Sequence, residues 1–249
     1  TRRLICRAFI FCVAQSAIAA ADAVASGAPH AYALCRPPGH HAYADQAGGF
    51  CFLNNSAIAA QRLRDKGTAK VAILDVDVHH GNGTQDLVKD DPRIRFVSTH
   101  QMPLYPGTGA PQETGPHGTI TNIALSTGTD GDLYRKILAN RIIPILRDFQ
   151  PELLILSAGF DAHEDDPLGG IRLTDDDFVG IGTANLDNRS FRLNFETMAA
   201  VFDEPFAARV EAMLKTDFAN AEPLGQSLDQ QPLWLRIGAR VTRLIAPVL

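Results

Sequence analysis

The stretch that most limits what this chain can become is VAILDVDVHHGNGTQ, residues 71–85. Four apolar residues, Val71–Leu74, run straight into Asp75, Asp77 and His79, spaced by two. Residues two apart in an extended chain share a face, so two carboxylates and an imidazole leave the sheet together. A strand core rarely carries such charges unless they are paired or bound to a metal. Gly81, Asn82 and Gly83 then turn the chain away from the sheet. Ligands at the carboxyl end of a buried strand predict an α/β protein with a metal or ligand site on that edge.

The rest of the chain supports that class. Helices are predicted over Ser16–Ala25, stopped by Gly27-Ala28-Pro29, and over Asn55–Lys66, with Ile58 and Leu63 inward and Gly67 as the stop. A long helix is predicted over Asp132–Phe149, with Leu133, Ile137, Leu138 and Ile145 on its apolar stripe and a kink at Pro144. Strands are predicted at His30–Cys35, Val71–Asp77, Ile94–Ser98, Asn122–Leu125 and Leu153–Ser157, with a long Pro- and Gly-rich loop over Met102–Gly118. Strands alternating with helices call for a mainly parallel sheet covered on both faces. Beyond about Phe178 the texture changes. Strands are predicted at Phe178–Thr183 and Leu193–Phe202, and helices at Glu204–Ala219 and Leu233–Ile245.

Charge and cysteine usage narrow the function classes. The net charge is −5 with no basic block, which argues against direct nucleic-acid binding. Cys6, Cys12, Cys35 and Cys51 form no C-x-x-C pair and read as reduced, buried thiols of a cytoplasmic protein. The segment from Leu4 to Ala25 has the look of a secretion signal, but Arg7 interrupts it, and a buried Ala-rich helix is the preferred reading. No membrane span is expected.

Three constellations carry chemistry. The first joins Asp75-x-Asp77-x-His79-His80 to Asp161 in SAGFDAH, because both follow apolar strands that can end at one sheet edge. Two carboxylates and one imidazole leave an open position on a divalent ion, with zinc the first choice and iron, manganese or cobalt the alternatives. Taken alone, Asp161 reads first as a turn-capping carboxylate. The second is RPPGHH, where His40 and His41 follow a rigid turn and suit general acid and base roles. The third pairs Gly48-Gly49-Phe50-Cys51-Phe52 with Tyr105-Pro106-Gly107-Thr108-Gly109 as walls of a narrow channel, with Phe52 assigned to the core.

RPPGHHA, GGFCFLNN, LDVDVHHGNGTQ, YPGTG and SAGFDAHEDDPLGG, in that order, resemble the zinc-dependent histone deacetylase family. The resemblance is greatest to its class II-like and acetylpolyamine amidohydrolase branch and runs from about residue 17 to 177. It implies the arginase/deacetylase three-layer α/β/α fold. It implies Zn2+ on Asp77, His79 and Asp161, with His40 and His41 handling the proton of an attacking water. Asp75 is implied to orient His40 and, with Ser98, to hold K+ or Na+. Asn82 stands where some members carry an Asp partner for His41. Gly49, Phe50 and Tyr105 are implied to line the tunnel for an acetylated lysine side chain or acetylpolyamine. The family also uses a tyrosine from a Gly-Gly-Tyr loop downstream of DPLGG, and this sequence has no Tyr after Tyr134. A metal- or acyl-ligand-binding remnant without turnover is the alternative expectation.

Residues 176–202 are similar to the end of phospholipase D superfamily proteins, bacterial cardiolipin synthases above all, through GTANLDNRS at 182–190. Pro167 and Gly169 stand where that motif has its His and Lys, so phosphodiesterase activity is not implied. The two resemblances meet at Thr174–Phe178. The expected organisation is a deacetylase-like domain over 1–177, incomplete at both ends, followed by an α+β segment of different origin over 178–249.

Overall fold

The computed structural model describes residues 2–28, 30–174, 177, 180–181 and 199–200, with side chains of the first helix from residue 13 onward. In chain order the elements are α1 (Arg2–Ala25), α2 (Asn55–Asp65), β1 (Val71–Asp75), α3 (Asn82–Val88), β2 (Ile94–Gln101) and β3 (Ile120–Leu125). They continue with α4 (Gly131–Ile137), a π-helical turn (Leu138–Ile142), α5 (Ile143–Phe149) and β4 (Leu153–Ser157). Two short strands, β5 (Gly180–Ile181) and β6 (Ala199–Ala200), pair antiparallel. The rest of 178–249, including both helices expected there, lies outside the described residues.

The four main strands form a parallel sheet in the order β3-β2-β1-β4. Alternation along β1 assigns the layers. Val71 and Ile73 pack with Val13, Ala17, Ala21, Ala60 and Leu63 of α1 and α2. Leu74, with Val97 and Ile123, packs on the other face against Tyr134 and Ile142 of the α4–α5 segment. Every β1 residue is buried, as expected of a central parallel strand covered on both faces. The chain builds β1, β2 and β3 outward to one side, then returns to place β4 on the other side of β1. That reversal makes a crevice at the carboxyl ends of β1 and β4, where open α/β sheets hold their ligands.

Local rules explain the helix ends. The Asn54 side chain accepts from the Ala57 amide at 3.0 Å and caps α2. Gly67, at φ +97°, ends the same helix. The Asp130 carboxylate caps α4 by accepting from Leu133 N at 2.9 Å. Among the described residues no helix is long and apolar enough to cross a membrane. Cys35 and Cys51 are free and buried, and burial pushes their thiols up to about 11 and about 12, which makes them poor nucleophiles.

Several sequence expectations need correction. His30–Cys35 is irregular rather than a strand, and Cys35 packs under α1 with Sγ 3.7 Å from the Val13 carbonyl. The strand expected over Val71–Asp77 ends at Asp75, while β2 runs three residues past Ser98 to Gln101. Asn82 opens a short helix instead of extending a turn. The single helix expected over Asp132–Phe149 is divided by the π-helical turn, in which the Ile143 amide reaches back to the Leu138 carbonyl. Pro144, which has no amide to donate, follows at the start of α5. The buried face there runs through Tyr134, Ile142 and Phe149, leaving Leu133 47% exposed. Tyr134 can be buried because its hydroxyl meets Thr99 Oγ1 at 2.9 Å.

Candidate active site

The crevice at the ends of β1 and β4 gathers the predicted residues. The spacing of two survives past the end of the strand through carboxylate–amide bonds. Asp77 N donates to Asp75 Oδ1 at 3.2 Å, and His79 N donates to Asp77 Oδ1 at 2.8 Å. These two local turns, not the strand pleat, aim Asp77 and His79. Asp161 arrives from the loop after β4 and is tied to the same segment, its Oδ1 accepting from Val78 N at 2.8 Å. Asp77, His79 and Asp161 each offer a ligand atom, and these atoms lie within 4.8 Å of one another. A Cβ on Gly159 would sit 2.6 Å from Asp77 Cγ, so the backbone of the second loop must be bare to let the carboxylate in.

The electrostatics of this cluster suit a cation. His79 Nδ1 lies 3.1 Å from Asp77 Oδ1 and 2.8 Å from Asp161 Oδ2. Burial disfavours the His79 cation, but hydrogen bonds to Asp161 and Asp77 outweigh it and lift the imidazole to about 10. Burial and the neighbouring Asp77 charge push Asp161 up to about 7. Burial also acts against Asp77, but His40 and His79 hold it well below the usual carboxylate range. Two carboxylates this close need a positive charge between them, and here a proton on His79 supplies it. Two buried carboxylates and an imidazole are a fitting donor set for a divalent ion with positions left open.

His40 and His41 sit beside the cluster, with ring centroids 4.0 Å apart. Their second nitrogens are held differently. His40 Nδ1 meets Asp75 Oδ2 at 3.1 Å, and its Nε2 lies 3.8 Å from Asp77 Oδ2. Burial lowers its basicity, but Asp77 and Asp75 together raise it to about 9. His41 Nδ1 lies 2.7 Å from Asn82 Oδ1, and Asn82 Nδ2 donates to the Tyr43 hydroxyl at 2.9 Å. Since an amide oxygen only accepts, the proton is on His41 Nδ1 and Nε2 keeps its lone pair. Burial and the charge on His40 push His41 down to about 3. The paired histidines are therefore unlike: one holds a proton, the other is free to take one.

A cavity of about 380 Å³ opens above these groups, lined by Pro38, His40, His41, Gly49, Phe50, Asp77, His79, Tyr105 and Leu168. Gly48 and Cys51 bridge around a two-residue turn in which Gly49 and Phe50 both have positive φ, 51° and 63°. That turn lifts Phe50 to 73% exposure and points Cys51 inward. Phe52 therefore points outward with Phe50, at 54% exposure, and is not the core residue expected. The Tyr105 ring stands edge-on to His41, with centroids 5.0 Å apart. Asp161 is buried below and does not line the cavity.

Ser98 is fully buried and pairs in register with Asp75 across β1 and β2. His100 Nε2 donates to the Gly109 carbonyl at 3.0 Å, so its Nδ1 accepts from the Ser98 hydroxyl at 2.9 Å. Ser98 Oγ is thereby left with lone pairs beside Asp75.

Sequence reasoning missed Leu168, His80, His100 and Gln101. Leu168 lines the cavity from the DPLGG segment, which was quoted without a role for its leucine. His80 is buried, with Nδ1 2.8 Å from Thr108 Oγ1 and Nε2 3.0 Å from Gln85 Oε1. The doubled His79-His80 was the available signal, and alternation past the strand sends the second imidazole inward.

The histone deacetylase domain family model matches residues 6–191, past the boundary expected at 177. A probable deacetylase of Archaeoglobus fulgidus is 46% identical over 165 residues, 65% of this chain and 46% of that protein. An acetylpolyamine amidohydrolase of Mycoplana ramosa is 44% identical over 173 residues, 67% of this chain and 50% of that protein. The crystal structure of an acetylpolyamine aminohydrolase from Burkholderia pseudomallei superposes with a TM-score of 0.64 at 46% identity, over 67% of this chain and 50% of that one. The chain spans about half the length of the curated relatives it matches. With three quarters of its residues inside one family match, this chain belongs to the histone deacetylase domain family.

Proposed function

We propose that the chain carries the metal and proton-transfer half of an amide hydrolase that removes acetyl groups from amines. One observation carries this: Asp77, His79 and Asp161 meet within ligand reach of one another, directly below a cavity that also presents His40 and His41. Zn2+ is the ion proposed for the three ligands, and when bound it supplies Lewis acidity for carbonyl polarisation and water activation. His41, neutral and with Nε2 free, takes the proton of the attacking water. Asn82 keeps that tautomer in place, and Tyr43 keeps Asn82 in place. His40, protonated and oriented by Asp75, holds the proton that the departing amine needs. Asp75 and Ser98 are proposed to hold K+ or Na+ behind the site, where it offsets the buried carboxylates.

The substrate proposed is an acetylated lysine side chain or an acetylpolyamine, threaded between Gly49, Phe50, Tyr105 and Leu168. Amidohydrolases of acetylpolyamines among the relatives favour the latter. A cytoplasmic location is proposed on the buried thiols. Residues 178–249 are proposed as a segment of separate, cardiolipin synthase-like origin. A chain cut after residue 177 that still binds metal would support that boundary, and loss of folding would count against it.

The test is metal analysis together with turnover of acetyl-lysine and acetylputrescine. One equivalent of divalent metal, lost in Asp161→Asn, and turnover abolished by His41→Ala are the expected results. A protein that takes up no stoichiometric divalent metal refutes the proposal. Loss of one oxyanion donor typically costs roughly 10²–10³ in rate, so turnover that far below a relative's is the expected signature of a site without its tyrosine. Tight hydroxamate binding with no turnover at all would favour the remnant reading.

A further inference from the structure

The end of β2 contains two neighbours that reach in opposite directions. Adjacent residues of a strand point to opposite faces, so His100 and Gln101 contact different loops. His100 donates to the Gly109 carbonyl at 3.0 Å, on the loop that carries Tyr105. Gln101 Oε1 accepts from the Gly170 amide at 2.6 Å, on the segment that carries Leu168. Both loops wall the cavity.

Gln101 does more than touch one wall. Its own amide donates to the Val78 carbonyl at 2.8 Å, and Val78 lies between Asp77 and His79. Gln101 is 8% exposed, so little water competes for either bond. The segment it holds runs close to its neighbours at two glycines. A Cβ on Gly169 would sit 2.9 Å from the Asp161 carbonyl, and one on Gly170 would sit 2.8 Å from Thr127 Cγ2. Leu168 itself is 43% exposed, so its place over the cavity depends on the backbone that follows it.

We propose that Gln101 is a positioning residue: its side-chain oxygen, bonded to the Gly170 amide, fixes the Leu168 wall relative to the Asp77–His79 segment and so sets how the substrate's alkyl chain is gripped. Its role in substrate binding rests on the deacetylase reading, whereas the mooring itself does not.

The test uses the full chain and two variants. Gln101→Met matches the length and removes the acceptor. Gln101→Glu keeps an acceptor oxygen in either protonation state. Amide hydrogen exchange over residues 168–171 is expected to quicken about three- to tenfold in Gln101→Met, and to stay near wild type in Gln101→Glu. With an acetylated amine, KM is expected to rise by the same factor in Gln101→Met while kcat changes less than twofold, and Gln101→Glu restores KM. Unchanged exchange in Gln101→Met, or an equal change in both variants, overturns the proposal. The wild-type protein decides it even if a variant fails to fold, since a Gly170 amide that exchanges as fast as a free peptide would mean there is no such bond. If wild type turns over no acetylated amine, the deacetylase reading fails while the exchange result still judges the mooring.

Discussion

Gly49→Ala is the sharpest perturbation of the histidine pair, because it adds one carbon and touches no candidate ligand. The new Cβ would lie 2.7 Å from His41 Cγ and 3.1 Å from His41 Cβ. Carbon atoms settle at roughly 3.5–4.0 Å, and His41 Cδ2 lies nearer still, so the imidazole must retreat by at least about 1 Å. His41 Nδ1 is 2.7 Å from Asn82 Oδ1, and a retreat of that size puts the pair beyond hydrogen-bond range. A misplacement of about 1 Å costs on the order of 10² in rate. Position 49 also has φ +51°, which an alanine adopts at a cost of about 1–2 kcal/mol. The variant should therefore bind metal as wild type does, lose about a hundredfold in kcat, and melt a few degrees lower. Imidazole nitrogen NMR gives a readout without substrate, because the hydrogen-bonded His41 Nδ1 proton should disappear from its protected position. A Gly49→Ala protein that keeps both that proton and its turnover would refute the claim that this glycine exists to admit the imidazole.

Two further outcomes follow from the charges. In the metal-free protein His79 holds a proton up to about pH 10, and it must give that proton up to become a ligand. Metal affinity should therefore rise with pH, by about tenfold per unit between roughly pH 6 and 8, with at least one proton released per ion. Calorimetry in two buffers of different ionisation enthalpy measures that release, and affinity independent of pH would contradict it. Asn82→Asp puts a carboxylate against His41 Nδ1 in place of a neutral amide. It should raise the His41 pKa from its depressed position, so that activity is lost at a higher pH as pH falls, seen as an upward move of the acidic limb of the rate profile.

Residue pattern made the main strands of the sheet legible, and it singled out the groups proposed to form the site. Val71–Leu74 and Leu153–Ser157 are apolar runs of strand length, and both become parallel strands; the first is buried on both faces inside the sheet, whereas the second lies at the end of the four-strand order with Leu154 exposed. Asp75, Asp77 and His79 were legible because charged groups running out of a buried strand have few explanations other than a site, and Asp161 gained its reading only beside them. Legibility failed where the outcome depends on a partner distant in sequence. His30–Cys35 has the composition of a strand but runs as irregular chain that packs Cys35 under α1. Phe52 has the composition of core and is turned outward by the tight turn before it. Tyr134 is buried because Thr99 receives its hydroxyl, and Leu133 is exposed in its place.

The site shows the same division. Spacing placed Asp77 and His79 together, but the strand stops at Asp75, and local carboxylate–amide turns complete the geometry that the pleat was expected to supply. His40 and His41 are unlike because Asp75 stands behind one and Asn82 behind the other, 35 and 41 residues away in sequence; the family resemblance implied these partners, and the fold supplies the distances and burial that give each imidazole its protonation. Only the tertiary structure could show that Gln101, an unremarked polar residue at a strand end, moors a wall 69 residues further on. Residue type fixes which chemistry a group can do. Which nitrogen holds the proton, and which loop stands still, depend on hydrogen bonds between segments that become neighbours only when the sheet closes.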